Sequence, residues 1–160
     1  MGTRSLLASA WRLDVNRGTT EDPDWTPVKG MASFKEAIES TMEDDSDFDD
    51  PEWGSEEVTQ RKWKLETEGK RKRDDSSDEV FIPDPGQQFL LDAGNAVGVG
   101  SGVEIRYYRR DGSPDAWQGN VNVQYGGGGG ATTVLEPFNV TLGGRGSRRK
   151  LAPYPTLTPL

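Results

Sequence analysis

The chain has 160 residues, a formal net charge of −8 and only 32% hydrophobic residues, with 20 Gly and 10 Pro. It has no Cys and no His, which excludes disulfides, thiolate nucleophiles, Cys/His zinc sites and imidazole acid–base chemistry. Its acidity disfavours non-specific binding to nucleic acid, and no apolar run has the length of a membrane-spanning helix.

Five Trp, five Phe and four Tyr supply a modest core for one domain with long loops or arms, and argue against a wholly disordered chain. After a short apolar run at Leu6-Leu7-Ala8 the sequence turns polar, so a secretory leader is not expected. Trp11 to Val15 alternates apolar and polar residues, the pattern of a half-buried strand. Trp25 to Val28 reads as a second strand, which Pro27 restricts to an edge or an end. Ser33 and Glu36 have capping-box spacing, and Phe34, Ala37 and Ile38 fall on one helical face, so a short helix is expected to about Thr41.

Residues 43–57 form an acidic loop with nine Asp or Glu in fifteen positions and no Lys or Arg. Such density stays solvated unless a partner neutralises it. Phe48 and Trp53 lie inside it as candidate contact residues. Asp45, Asp47 and Asp49 with Glu56 echo a calcium loop, but Asp50 stands where that loop needs Gly, and a strand follows rather than a helix.

Val58 to Lys70 is the longest expected strand, with Trp63, Leu65 and Thr67 on one face and Lys62, Lys64, Glu66 and Glu68 on the other. The basic run Lys70 to Arg73 follows and passes into Asp74-Asp75, the pattern of a solvated turn. Asp84 as N-cap, Pro85 at the first helical position and Gly94-Asn95 as a stop predict a helix over 84–94. Residues 103–110 and 117–125, joined by the turn Asp111 to Asp115, predict a hairpin. A last strand is expected over 133–142, broken at Pro137, before a basic and then Pro-rich tail with no pattern that would pack alone.

No catalytic set emerges from these residues. Glu66 and Glu68 share a solvated strand face with Lys62 and Lys64, whereas a hydrolytic dyad needs one carboxyl in an apolar pocket. The glycine runs at 98–102 and 126–130 are not followed by a helix that could offer its N-terminus to a phosphate. No enzyme activity and no cofactor are expected.

The order of several segments resembles the major tail proteins of long-tailed actinobacterial siphophages. These are Trp25-Thr26-Pro27-Val28 with Gly30, Ser33-Phe34, the acidic run through Asp47-Phe48-Asp49-Asp50 to Trp53-Gly54-Ser55, and Thr59 to Leu65. Pro83 to Gln87, Glu104 to Gly112 and Leu135 to Phe138 continue the likeness, which spans about 8–145. The resemblance implies a mainly β fold, a β-sandwich or barrel of the phage tail tube type with one flanking α-helix, a long acidic loop and extended terminal arms. The implied division is an N-terminal arm over 1–10, a tube domain over 11–145 and a C-terminal arm over 146–160.

It also implies homohexameric rings stacked into a tube. The partners would be a tape measure protein, a tail terminator and viral DNA that passes through the lumen without specific binding or membrane insertion. The virion is the expected location, after assembly in the bacterial cytoplasm. A tail terminator, head–tail connector or baseplate protein shares this expectation of fold, and a non-viral β-sandwich binding module is the alternative of another class. Under the tube reading, Asp44, Asp45, Asp47, Phe48, Asp49, Asp50 and Trp53 are expected at an inter-ring contact. Arg71 and Arg73, or Arg148 and Arg149, would receive them. Lys64, Glu66, Glu68, Asn122 and Gln124 are expected to face the lumen. Arg106, Arg109 and Arg110 would be awkward there unless paired or turned away.

Overall fold

The computed structural model describes residues 2–49, 53–76 and 79–160. Its strands and helix, in chain order, are β1 (Trp11–Asn16), β2 (Trp25–Pro27), β3 (Met31–Asp44), β4 (Glu56–Lys70), β5 (Arg73–Asp74), β6 (Ile82–Pro83), α1 (Pro85–Gly94), β7 (Gly102–Arg109), β8 (Ala116–Tyr125), β9 (Pro137–Gly144) and β10 (Arg149–Lys150). The fold is mainly β, antiparallel, with one α-helix. Seven strands run in the order β2-β1-β7-β8-β9-β4-β3, β10 pairs with β8, and β5 and β6 form a separate two-stranded ribbon.

One sheet supplies both layers of the core. Trp11 of β1 stacks on Phe34 of β3 with ring centroids 5.2 Å apart, although the sheet path separates these strands. The sheet therefore curls until its two limbs face each other, and no ladder closes it into a barrel. The inner face carries Leu13, Val15, Leu65, Ile105, Tyr107, Val121, Phe138 and Leu142, each at most 1% exposed. Alternation puts the apolar residue of every pair inside, which is why the strands read clearly in the sequence. Where β1 and β3 fail to pair, a cleft of about 770 Å³ remains, lined in part by Trp11, Leu13, Met31 and Phe34.

The helix begins as its capping residues dictate: the Asp84 carboxylate accepts from the Gln87 backbone N–H at 3.2 Å, with Pro85 in the first turn. Leu90, Leu91 and Ala93 bury into the same core as the sheet.

Three local expectations need correction. Residues 33–41 are not a helix but lie within β3, whose ladder with β4 runs from Met31↔Gly69 to Asp44↔Glu56. Phe34 and Ile38 have helical spacing, yet with Glu36 between them they also share one face of a strand, and thirteen paired positions with β4 outweigh one capping box. The acidic loop is correspondingly shorter: it is the turn of a long hairpin, between Asp44 and Glu56, with its acidic flanks in the strands. The last long strand begins at Pro137 rather than 133.

The C-terminal residues also fold back onto the domain. β10 pairs with β8 through Arg149↔Gln118 and Lys150↔Trp117. Leu151 and Leu157 bury against Tyr108 and Ala116 in a second small cluster, and Tyr154 stacks on Tyr108 at 5.5 Å.

Candidate assembly surfaces

The expected lumen residues come together on the outer face of the sheet. The registers Lys64↔Gly143, Glu66↔Thr141 and Glu68↔Asn139 join β4 to β9. Asn122↔Gly143 and Gln124↔Thr141 join β9 to β8. Lys64, Glu66, Glu68, Asn122 and Gln124 thus form one patch with Asn139 and Thr141 between them. Sequence reading missed those two residues, although they alternate with the buried Phe138, Val140 and Leu142. Along β8 the outward positions are Gln118, Asn120, Asn122 and Gln124, an uninterrupted row of amides. The Lys64 ammonium lies 3.4 Å from the Glu66 carboxylate, with both side chains well exposed.

The arginines that seemed awkward are engaged. Arg106 donates from Nε to Asp14 at 2.9 Å and sits 4.7 Å above the Trp25 ring. Arg109 is 5% exposed, donates to Asp111 at 2.9 Å and to the carbonyl of Leu7 at 2.8 Å. The Arg109 guanidinium, with a backbone hydrogen bond from Ser113, holds the Asp111 carboxyl below its usual range. Arg110 lies 5.5 Å above the Tyr154 ring.

The acidic hairpin and the basic run occupy opposite ends of β4. The turn precedes Glu56, and Lys70 to Arg73 continue from the other end, fifteen strand residues later. At the usual rise per residue that is a separation of about 45 Å. At the turn, Asp44 accepts from the Ser46 N–H at 2.8 Å and Asp47 from the Asp49 N–H at 3.0 Å. The Ser46 hydrogen bonds hold the Asp44 carboxyl below its usual value, which keeps it charged. Phe48 and Trp53 are 101% and 74% exposed. Asp50 lies outside the described residues.

At the far end, one buried side chain gathers a patch that spacing alone does not reveal. Gln87, 1% exposed, donates from Nε2 to the carbonyls of Lys29 at 2.6 Å and Lys70 at 2.9 Å, and accepts at Oε1 from the Lys72 N–H at 2.8 Å. Three lysines from two distant segments are fixed around one carboxamide with their side chains exposed. None of the three is within ion-pair distance of another described residue, but Lys29 acts at longer range on Asp74, which lines the same hollow as Lys29 and Lys72. Arg73 lies beside them, 5.0 Å above the Phe81 ring, and Arg71 donates to Gln88 at 3.3 Å.

The tail arginines differ from this patch. Arg148 turns inward: it donates to Glu36 at 2.7 Å and to the Tyr107 hydroxyl, with its guanidinium 3.8 Å from the Trp117 ring. Arg149 is exposed, with its backbone in the β10–β8 ladder.

No family model matches this sequence, and no curated protein matches it. Solved structures do share its fold. One is a chain from the tail of an empty gene transfer agent particle with C6 symmetry; it aligns with a TM-score of 0.63 and 12% identity, over 92% of this chain and 100% of its own. Another, from the virion of the native gene transfer agent particle, aligns with a TM-score of 0.58 and 12% identity over the same shares. The curled antiparallel sheet with its single helix is therefore a fold also found in the tail of a phage-like particle.

Proposed function

We propose that this chain is a structural subunit of a bacteriophage tail tube, and that it assembles as hexameric rings stacked into a hollow conduit for DNA. The observation that carries the reading is the fold shared, over 92% of this chain, with a chain in a six-fold symmetric tail. The surface agrees with it. Among the described residues β3 has no strand on its outer edge along 14 residues, and an open edge of that length invites a second chain. Its outer half is exposed on every residue from Ile38 to Asp44, as expected of a segment that meets neighbours.

In this reading the face of β4, β9 and β8 lines the lumen. Amides and hydroxyls there offer weak, uncharged contacts, and Glu66 and Glu68 repel phosphate, so DNA passes without being held. A tape measure protein and a tail terminator are the other partners of such a tube, and the virion is its location.

Negative-stain electron microscopy of the purified chain across a concentration series tests this. Hollow tubes are the expected result. Single six-fold rings that never stack would assign the chain to a terminator or connector, and a monomer at every concentration would overturn the self-assembling reading.

A further inference from the structure

We infer that residues 145–160 are a latch: they hold the root of the β3–β4 hairpin against the body, and their release frees the outer half of the hairpin to move as a lever. The device belongs to the single chain and does not depend on the tube reading.

β4 changes company at Lys64. Over 64–70 it lies between β3 and β9, but over 56–63 its partner among the described residues is β3 alone. Every residue of 38–44 and of 56–62 is exposed. A ribbon of two strands is marginal in water without further packing. Its position relative to the body is therefore set at its root.

At the root the C-terminal segment touches both strands. Trp63 of β4 donates from Nε1 to the Gly146 carbonyl at 2.8 Å, and Arg148 donates to Glu36 of β3 at 2.7 Å. The same segment is fastened to the body by the β10–β8 ladder and by Leu151 and Leu157, buried against Tyr108 and Ala116. The two attachments differ in kind. The body side buries apolar side chains, whereas the hairpin side relies on one ion pair, partly open to solvent, and one hydrogen bond. The hairpin side therefore opens first. Trp63, buried with its ring over Gly119 and Gly144, stays behind as the pivot.

The latched position leaves apolar surface uncovered. Ile38 pairs with Trp63 and Met42 with Val58, so Ile38, Met42 and Val58 continue the core face out along the ribbon. All three are exposed. A position that covers this stripe buries more apolar area, so the contact that holds the ribbon away from it has something to oppose.

The chain has no Cys, so pairs of spin labels can be placed at chosen sites. One pair, Gln60→Cys with Asp92→Cys, measures the ribbon against α1. A control pair, Lys35→Cys with Asp92→Cys, measures the inner part of β3 against the same helix. In the unassembled chain with the latch intact, both should give narrow distance distributions. Arg148→Met and Glu36→Gln should each widen the first to about twice its latched width and leave the control unchanged. A protein that is merely less stable keeps its native distances while it stays folded, so a lower melting point does not mimic this result. An unchanged first distribution in either folded variant overturns the latch. So does equal widening of the control, or a first distribution that is already broad with the latch intact. Glu36→Gln decides alone if Arg148→Met does not fold.

Discussion

Arg148 and Glu36 meet at 2.7 Å although 112 positions separate them in the chain, and their contact ties the C-terminal segment to the edge strand β3. The pair is mostly shielded, with side-chain exposures of 16% and 26%. Replacing Arg148 by Met removes the guanidinium from both partners and leaves the Glu36 carboxylate with the Tyr107 hydroxyl as its remaining donor. The expected cost is about 2 kcal/mol, in the range for a hydrogen bond to a charged group. Thermal unfolding of the monomer reads it as a lowered midpoint, and an unchanged midpoint would show that water replaces the arginine.

The pH dependence follows from the same cluster. Burial first, then the Glu36 hydrogen bond and charge, push the Tyr107 phenol well above the ordinary tyrosine range, with Arg148 opposing. The folded state thus holds this proton more tightly than the unfolded chain. Its contribution to stability is complete below a pH of about 10 and is lost as the pH rises beyond that value. The unfolding midpoint should fall steeply in alkali, and Tyr107→Phe should flatten that fall. Part of the slope should remain because burial also raises Tyr108. Identical slopes in the two proteins would assign the alkaline loss elsewhere.

Gly144 makes room for an indole. A Cβ there would lie 2.3 Å from Nε1 of Trp63, whose own N–H donates to the Gly146 carbonyl at 2.8 Å. Gly144→Ala therefore forces Trp63 or the backbone to move, at a cost of about 1–3 kcal/mol for overpacking. Urea denaturation followed by tryptophan fluorescence measures it, and a shift in the native emission maximum should accompany the loss.

Gln87→Leu removes three hydrogen bonds while keeping the side chain's bulk. Two carbonyls and one N–H lose their partner, so stability should fall by about 2–4 kcal/mol. The loops bearing Lys29 and Lys72 should lose amide protection in hydrogen exchange. Unaltered protection there would mean that the strands alone hold the patch together.

The sequence reveals elements whose signals are local and hides those that depend on distant partners. β4, the β7–β8 hairpin and α1 were all legible, because alternation and an Asp-Pro start are written in neighbouring residues. β3 was misread because Phe34 and Ile38 fit a helical and a strand period equally, and only pairing with β4 decides between them. The outward residues Lys64, Glu66, Glu68, Asn122 and Gln124 were legible as strand faces, but β9 had to be placed between β4 and β8 before they became one surface. The lysine patch was not legible at all: Lys29 lies 41 positions from Lys70, and they meet only because β3 pairs with β4 and a buried glutamine bridges their carbonyls. The tail escaped notice because Leu151 and Leu157 bury against Tyr108 and Ala116 without any repeating pattern of their own.

One strand runs from the acidic turn to the lysine patch, its ladder to β3 shifting register between Thr41 and Met42 and again between Met31 and Ser33. Any pull exerted between those two ends is transmitted along the covalent backbone of β4. Its ladder bonds to β3 and β9 stand crosswise to that direction. They are therefore strained sideways and in unison, so the chain must lose many together before it yields. Bonds opened one after another from an end would offer far less resistance. The same strand that spaces the two surfaces thus makes the subunit stiff along the line joining them, and a column of such subunits would stretch at its joints before it stretched within them.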